Sequence, residues 1–256
     1  MAGDGPFKAS VEIQNNLGFP GEKVDNWQEV AINKMAETKS KYKSVQVFLD
    51  SCMKCGACTD KCHYFLGTAD PKNMPVARQD LFRSVYRRHF TFAGKYFPRL
   101  VGAKDLDEEM LDDWYNYFHQ CSQCRRCAVF CPSGIDTAEI SMAAREVMNV
   151  IGVGQKYTNQ ILGKVKKIGN NLGMPEPALK DTLLDLEEEI KDDTGVDVKL
   201  PIDIENSEVL MVSPSADFFA EPHIDGLIGY AKVFHESGVS SVSYTHLRAH
   251  ETLRYL

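Results

Sequence analysis

The sequence predicts a mainly α chain that ends in the start of an α/β unit, and three observations carry that prediction. Eight cysteines fall in two runs of one spacing, apolar residues recur at helical intervals around both runs, and after Glu208 the pattern switches to a short, continuous apolar stretch of strand type. With 256 residues, 43% of them hydrophobic, the chain can bury one substantial core or two small ones. A net charge of -7 argues against a broad nucleic-acid surface, which needs clustered positive charge. No apolar run approaches the ~20 residues that span a bilayer. The first 19 residues are polar and broken by Gly and Pro, unlike a secretory signal.

Residues 1–45 read as an arm and a helix. The first 25 residues, rich in Gly, Pro and Asn, predict an irregular segment, and Asn26 then caps a helix with Trp27, Val30, Ala31 and Met35 on one face. Residues 45–49 form a short apolar stretch that length alone leaves open between helix and strand. It leads into residues 46–152, which hold all the cysteines.

Cys52, Cys55, Cys58 and Cys62 make the first run, and Cys121, Cys124, Cys127 and Cys131 the second. A repeated C-x2-C-x2-C-x3-C pattern is the ferredoxin arrangement, in which three thiolates of a run hold one [4Fe-4S] cube and the fourth crosses to the other. One cube would take Cys52, Cys55, Cys58 and Cys131, and the other Cys121, Cys124, Cys127 and Cys62. Gaps of two let the backbone wrap three corners of a cube, and the gap of three starts a helical turn that carries the last cysteine away. Gly56, Ser122 and Ala128 keep bulk off the cluster surface. Pro132 closes the second run as in the bacterial pattern, whereas His63 stands there in the first. Structural zinc would leave the third and fourth members of each run unexplained, and disulfides need an oxidising compartment.

Between the runs lie 58 residues, far more than a compact ferredoxin uses. Asn73 as N-cap, Pro75 in the first turn, and Ala77, Leu81 and Val85 at spacing four, widened by Phe82 and Tyr86, predict a helix. Its opposite side would carry Arg78, Arg83, Arg87 and Arg88, as a solvated face or a dock for an acidic partner. A second helix over residues 106–119 packs Leu111, Trp114, Tyr115 and Phe118 inward. After Pro132, Asp136 and Glu139 make a capping-box-like start to a helix with Ile140, Ala143, Ala144, Val147, Met148 and Ile151 on one face, ended by Gly152 and Gly154.

Residues 153–206 read as a helical linker between domains. It holds Lys164, Lys166 and Lys167 on a polar helix, then an acidic helix burying Leu183, Leu186 and Ile190. Residues 207–239 open a βαβ unit: a strand at Val209, Leu210, Met211 and Val212, a helix with Ile224, Leu227, Ile228, Ala231 and Phe234, and a second strand beginning at Gly238. One strand and one helix cannot bury both faces of such a unit, so a truncated α/β domain is expected. Residues 240–256 resemble the translation of a sequencing-library adapter, a non-native tail to be set aside. The helical metal-ligand spacing of His246 and His250, with Glu251 beside them, falls in that tail and is discounted with it.

With these motifs in hand the sequence resembles the K subunits of the membrane-bound electron-transfer complex of dissimilatory sulfate and sulfite metabolism, relatives of the D subunit of heterodisulfide reductase. The likeness rests on the stretch from Cys52 through Lys54 and Gly56 to Cys58, on Asp60, Lys61, Cys62, His63, Tyr64 and Phe65, and on Gly67 and Thr68. It continues through Asp70, Pro71, Lys72, Asn73, Met74 and Pro75, through Arg83, Ser84, Val85, Tyr86 and Arg87, through the second cysteine run, and through Gly134 to Ile140. It covers about residues 27 to 238, and His63 after the fourth cysteine is normal in that family. The resemblance implies an α-helical ferredoxin-like domain with two [4Fe-4S] clusters, on the cytoplasmic face of a membrane, attached to a b-type cytochrome subunit. Electrons from a quinol would pass through both cubes to a special cluster in a C-terminal cysteine-rich domain, reducing a disulfide or trisulfide on a small sulfur-carrier protein. That domain's cysteines would lie beyond residue 256, so no catalytic residue is expected here. The other class of function is a stand-alone iron-sulfur carrier or adaptor, as in succinate, glycerol-3-phosphate or glycolate oxidation. The residues from Asp70 to Pro75 favour the first.

Overall fold

A computed structural model of the chain describes residues 7–200, 206–213, 215–218, 220 and 223–244. The chain divides into two compact units, residues 1–159 and 160–256. Helices of the first are α1 (Val11–Leu17), α2 (Trp27–Lys41), α3 (Lys43–Ser51), α4 (His63–Thr68), α5 (Pro75–Phe90), α6 (Phe92–Tyr96), α7 (Pro98–Val101), α8 (Glu108–His119), α9 (Arg126–Val129) and α10 (Thr137–Val150). The mainly α class expected from the cysteine runs and the helical spacing is the class observed.

α10 packs against α2, α3, α5 and α8. Its composition explains why: Ile140, Ala144, Val147 and Met148 are fully buried, and small Ser141, Ala143 and Ala144 let neighbouring helices come close. Across from it Trp114 of α8 stacks on Phe82 of α5 with ring centroids 5.0 Å apart. Phe118 meets Trp114 edge-on at 5.7 Å. Each large side chain buried this way contributes about 1.5–3 kcal/mol, and an aromatic pair about 0.5–1.5 kcal/mol more.

The structure departs from the sequence reading at several helix ends. Residues 45–49 lie in α3, so the choice between strand and helix falls to helix. Asn73 ends a 3-10 turn (Pro71–Asn73) capped by Asp70, and α5 starts at Pro75 behind Met74 instead of being capped by Asn73. Asp136 does cap α10 by accepting from the Ala138 N–H, but Glu139 is held by the Ser44 hydroxyl, so the box is not closed. The arm is not wholly irregular. Ser10 caps α1, and Gln14, fully buried, donates to the Gly152 and Gly21 carbonyls at 3.0 and 3.2 Å.

The largest departure is in α5. Arg78 and Arg83, expected on a polar face, are 2% and 5% exposed. α5 is covered on more sides than one because α3, α8, α10 and the segment of α6 and α7 all lie against it.

Two further helices follow, α11 (Lys156–Ile168) and α12 (Glu176–Thr194). Leu179, Leu183, Leu186 and Ile190 of α12 join Val198, Leu200, Phe218, Leu227 and Ala231 in a second core, so the stretch read as a connector supplies much of it. Strands β1 (Val209–Val212) and β2 (Ser241–Tyr244) pair in parallel, Val209 opposite Ser241, with α13 (His223–Ser237) as the crossover that parallel pairing requires. β2 uses residues of the stretch read as adapter-derived. His246, His250 and Glu251 lie outside the described residues.

Gly152 supplies a test of the corner that holds the N-terminal segment. Its φ is +83°, and a Cβ there would lie 2.0 Å from the Glu22 carbonyl oxygen. Gly152→Ala is expected to lower stability by more than ~1 kcal/mol in urea unfolding. Gly163→Ala, in α11 with open space around it, is expected to be neutral or to add about 0.5–1 kcal/mol.

Candidate metal centre

The two cysteine loops share a backbone plan. Lys54 and Gln123, the second residues of the first gaps, have φ of 56° and 58°, while Gly56 and Arg125, the first residues of the second gaps, have φ of 80° and 58°. Left-handed residues spaced in this way turn successive N–H groups toward one side and form a concave nest suited to an anionic group. Glycine adopts that conformation freely, whereas Lys54, Gln123 and Arg125 accept a strain of about 1–2 kcal/mol each. Arg125 ion-pairs with Asp136 at 3.2 Å, which ties the second loop to the start of α10.

The gaps of three are helical turns. A 3-10 turn (Thr59–Lys61) leads to Cys62, and α9 leads to Cys131. His63, where the second run has Pro132, is the first residue of α4, and its Nε2 lies 3.3 Å from the Ser122 hydroxyl. The first loop therefore leaves by a helix and a contact to its counterpart instead of by a proline.

Two cavities receive the thiols. One, of about 260 Å³, is lined by Cys52, Cys55, Cys58, Cys127 and Cys131, with Val76 and Ile135 among its apolar walls. The other, narrower at about 20 Å³, is lined by Cys62, Cys121, Cys124 and Cys127, with Pro75 and Arg78 beside them. Cys127 borders both, so the cavities are neighbours. The start of α5 walls both as well, through Val76 and Gln79 on one side and Pro75 and Arg78 on the other.

The third cysteine of each run has matching surroundings. Burial pushes the Cys58 thiol up to about 11, against a backbone hydrogen bond from Val76 in the first turn of α5. Burial also raises the Cys127 thiol, against hydrogen bonds from the side chain and backbone of Thr137 in the first turn of α10. N–H groups at helix N-termini favour thiolate over thiol, so α5 and α10 each aim a partial positive charge at a sulfur. Binding of a metal centre here would release protons, because only the thiolate ligates.

This donor set fits an iron-sulfur cluster. All eight cysteines are free thiols. Among the described residues no three His, Cys, Asp or Glu side chains converge as ligands of one metal ion do. Two runs of four cysteines supply eight thiols, the number that two cubes take, whereas one tetrahedral zinc ion takes four.

Sequence reasoning missed two residues near the second cysteine run, Arg78 at the narrower cavity and Arg145 beside the Cys121 backbone. Arg78 donates from Nη2 to the buried Asn73 Oδ1 at 3.0 Å, and its Nε is buried without a partner. Arg145 of α10 donates to the carbonyls of Phe118 and Cys121 and is partly desolvated, which lowers its pKa. The turn from Asp70 to Asn73 underlies the first of these. Asp70 accepts from the Lys72 N–H and from the Tyr117 hydroxyl at 2.8 Å, which lowers its own pKa and raises that of Tyr117 to about 12. A signal for Arg78 was present: it stands four residues before Phe82 and seven before Val85, on the apolar face.

A family model described as a 4Fe-4S dicluster domain matches residues 48–135. Over 212 residues, 83% of this chain, the sequence is 45% identical to the Hdr-like menaquinol oxidoreductase iron-sulfur subunit 2 of Archaeoglobus fulgidus and 44% identical to the corresponding iron-sulfur subunit of Archaeoglobus profundus. The chain spans 38% of the length of each of these two relatives. Over 106 residues, 41% of this chain and 25% of the relative, it is 27% identical to the D subunit of the dihydromethanophenazine:CoB–CoM heterodisulfide reductase of Methanosarcina mazei. No solved structure matches. The helical unit thus carries a 4Fe-4S dicluster domain of the α-helical ferredoxin-like kind, in a chain similar to iron-sulfur subunits of Hdr-like menaquinol oxidoreductases.

Proposed function

We propose that the chain is an electron wire. Cys52, Cys55, Cys58 and Cys131 hold one [4Fe-4S] cube, and Cys121, Cys124, Cys127 and Cys62 hold the other. Electrons from a menaquinol-oxidising membrane partner of the cytochrome b type pass through both toward reduction of a disulfide or trisulfide, in the manner of dissimilatory sulfur metabolism and with a small sulfur-carrier protein as substrate. The observation that supports this best is the pair of adjoining cavities, each bordered by cysteines of both runs and meeting at Cys127. Clusters held in such neighbours are close enough for sequential transfer. Quinol oxidation releases two electrons and disulfide reduction consumes two, so a pair of one-electron centres matches the stoichiometry.

Under this reading all eight cysteines are committed to clusters. No thiol remains in the chain for disulfide exchange, so the sulfur chemistry belongs to another domain or another protein of the complex. Among the described residues no helix is long and apolar enough to cross a membrane. The quinol-reactive site is therefore assigned to a partner, with this chain attached on the cytoplasmic face. What its own residues contribute is containment: the two nests, the helix N-termini at Cys58 and Cys127, and the buried cations.

Anaerobic reconstitution followed by stepwise reduction and EPR is the direct test. Two reducible [4Fe-4S] signals, broadened by mutual coupling, are expected, and a chain that takes up zinc but no reducible cluster would sink the proposal. Cys55→Ser is expected to halve iron and sulfide from about eight toward about four per chain with helix content retained; loss of both clusters from a folded chain would contradict separate sites. Arg78→Met, which removes a buried cation from the narrower cavity, is expected to lower one of the two potentials by on the order of tens of millivolts, within the wide span such clusters cover, and to leave the other in place.

A further inference from the structure

A third cavity, of about 620 Å³, lies beside the first cysteine loop, and Lys54 lines it together with Asp50, Arg83, Arg87, Leu100 and Val101. Arg83 is 5% exposed, its Nε is buried without a hydrogen-bond partner, and among the described residues no ion pair engages its guanidinium. A buried arginine in that state asks for an anion. Arg87 stands with it, donating from Nη1 to the Val101 carbonyl at 2.8 Å. The negative groups near Arg83 are the Cys52 sulfur and the carboxylates of Asp80 and Asp50, and both carboxylates are already engaged. Lys54 is paired with Asp80 at 2.8 Å, and Asp50 accepts from the Tyr86 hydroxyl at 3.3 Å.

The outer wall of this cavity is the α6 and α7 segment, which presents Phe92, Tyr96, Phe97 and Leu100 at 74%, 66%, 56% and 85% exposure. Four large apolar side chains so close in sequence and so open are not the scattered exposure of an ordinary surface. The same stretch is cationic. From Leu81 to Lys104 there is no Asp or Glu, while Arg83, Arg87, Arg88, Lys95, Arg99 and Lys104 all fall within it, in a chain whose net charge is -7. Lys95, Arg99 and Lys104 are exposed and form no ion pair among the described residues, whereas Arg88 is paired with Asp105. The segment is held at its angle by Gly94, where a Cβ would lie 1.8 Å from the Arg87 carbonyl oxygen.

We infer that this face docks directly on an anionic phospholipid bilayer, with the aromatic and leucine side chains entering the interface and a lipid phosphate taken by Arg83 and Arg87 in the cavity. Apolar insertion with a cationic rim is the chemistry of an interfacial anchor, and each cation near an anionic surface adds about fivefold in binding. A purely acidic protein surface, with no apolar patch at its centre, would satisfy the cations and leave the four apolar side chains in water. The inference goes beyond the proposed function, which places membrane attachment on a partner protein, and it does not depend on the clusters.

Sedimentation of the whole chain with vesicles of phosphatidylcholine alone, and with phosphatidylglycerol mixed in, tests it. Binding to the mixed vesicles, weakened by salt, is expected. Arg83→Gln should weaken it about fivefold. Phe92→Ser combined with Leu100→Ser, at exposed positions that do not burden the fold, should weaken it at least about tenfold. Inorganic phosphate at the concentration of the lipid headgroups should not compete. Absence of vesicle binding, equal binding to both vesicle types, or an unchanged affinity in the Phe92→Ser, Leu100→Ser variant would overturn the inference, and the first of these would leave the face to an acidic protein.

Discussion

The structure depends on one constraint: the first turns of α5 and α10 must end up beside the sulfurs of Cys58 and Cys127. A buried thiol resists ionisation, as the raised pKa of both cysteines shows. N–H groups at a helix start are the nearest source of partial positive charge for the thiolate that ligation needs. Because α10 packs against α2, α3, α5 and α8, the hydrophobic core of the first unit is also what aims these two helix ends. The stack of Phe82 on Trp114, with Phe118 edge-on, fixes α5 against α8. Core and cofactor pocket are one construction.

Charge follows from the same geometry. Arg78 and Arg83 are buried and Arg145 is partly desolvated, and taking such a cation out of water is costly unless a negative group stands nearby. In the proposed arrangement the thiolate-ligated cubes supply negative charge to Arg78, Arg145 and, through Cys52, Arg83, and a lipid phosphate adds to it on the outer side of Arg83. Buried cations are thus placed where anions are expected, and they separate the narrower cavity from the larger one, whose walls are mostly apolar. Two centres with different surroundings have different potentials, the ordinary means by which a chain of clusters favours one direction of flow.

The division of labour proposed for this chain has a chemical basis as well. If every cysteine is a cluster ligand, as proposed, these residues conduct electrons and the reaction at sulfur and the reaction at quinol fall on either side of them.

The sequence by itself determined what rests on local spacing. Gaps of two and three between cysteines are limits on how far a short backbone can reach, so the two runs and the kind of cofactor were legible without coordinates. The apolar intervals of α8, α10 and α12 were legible for the same reason, as were the first strand and helix at the C-terminal end, whereas the second strand falls at Ser241–Tyr244, inside the stretch that the sequence reading set aside. Tertiary structure alone decided which sides of α5 are covered. A stripe of apolar residues marks one buried face, but α5 is packed by α3, α8, α10 and the α6–α7 segment together, and those neighbours come from distant parts of the chain. Arg78 and Arg83 therefore read as solvated from sequence and are buried in the fold. Burial of a cation is decided by the anion or dipole it meets, and that partner is not a property of the helix that carries it.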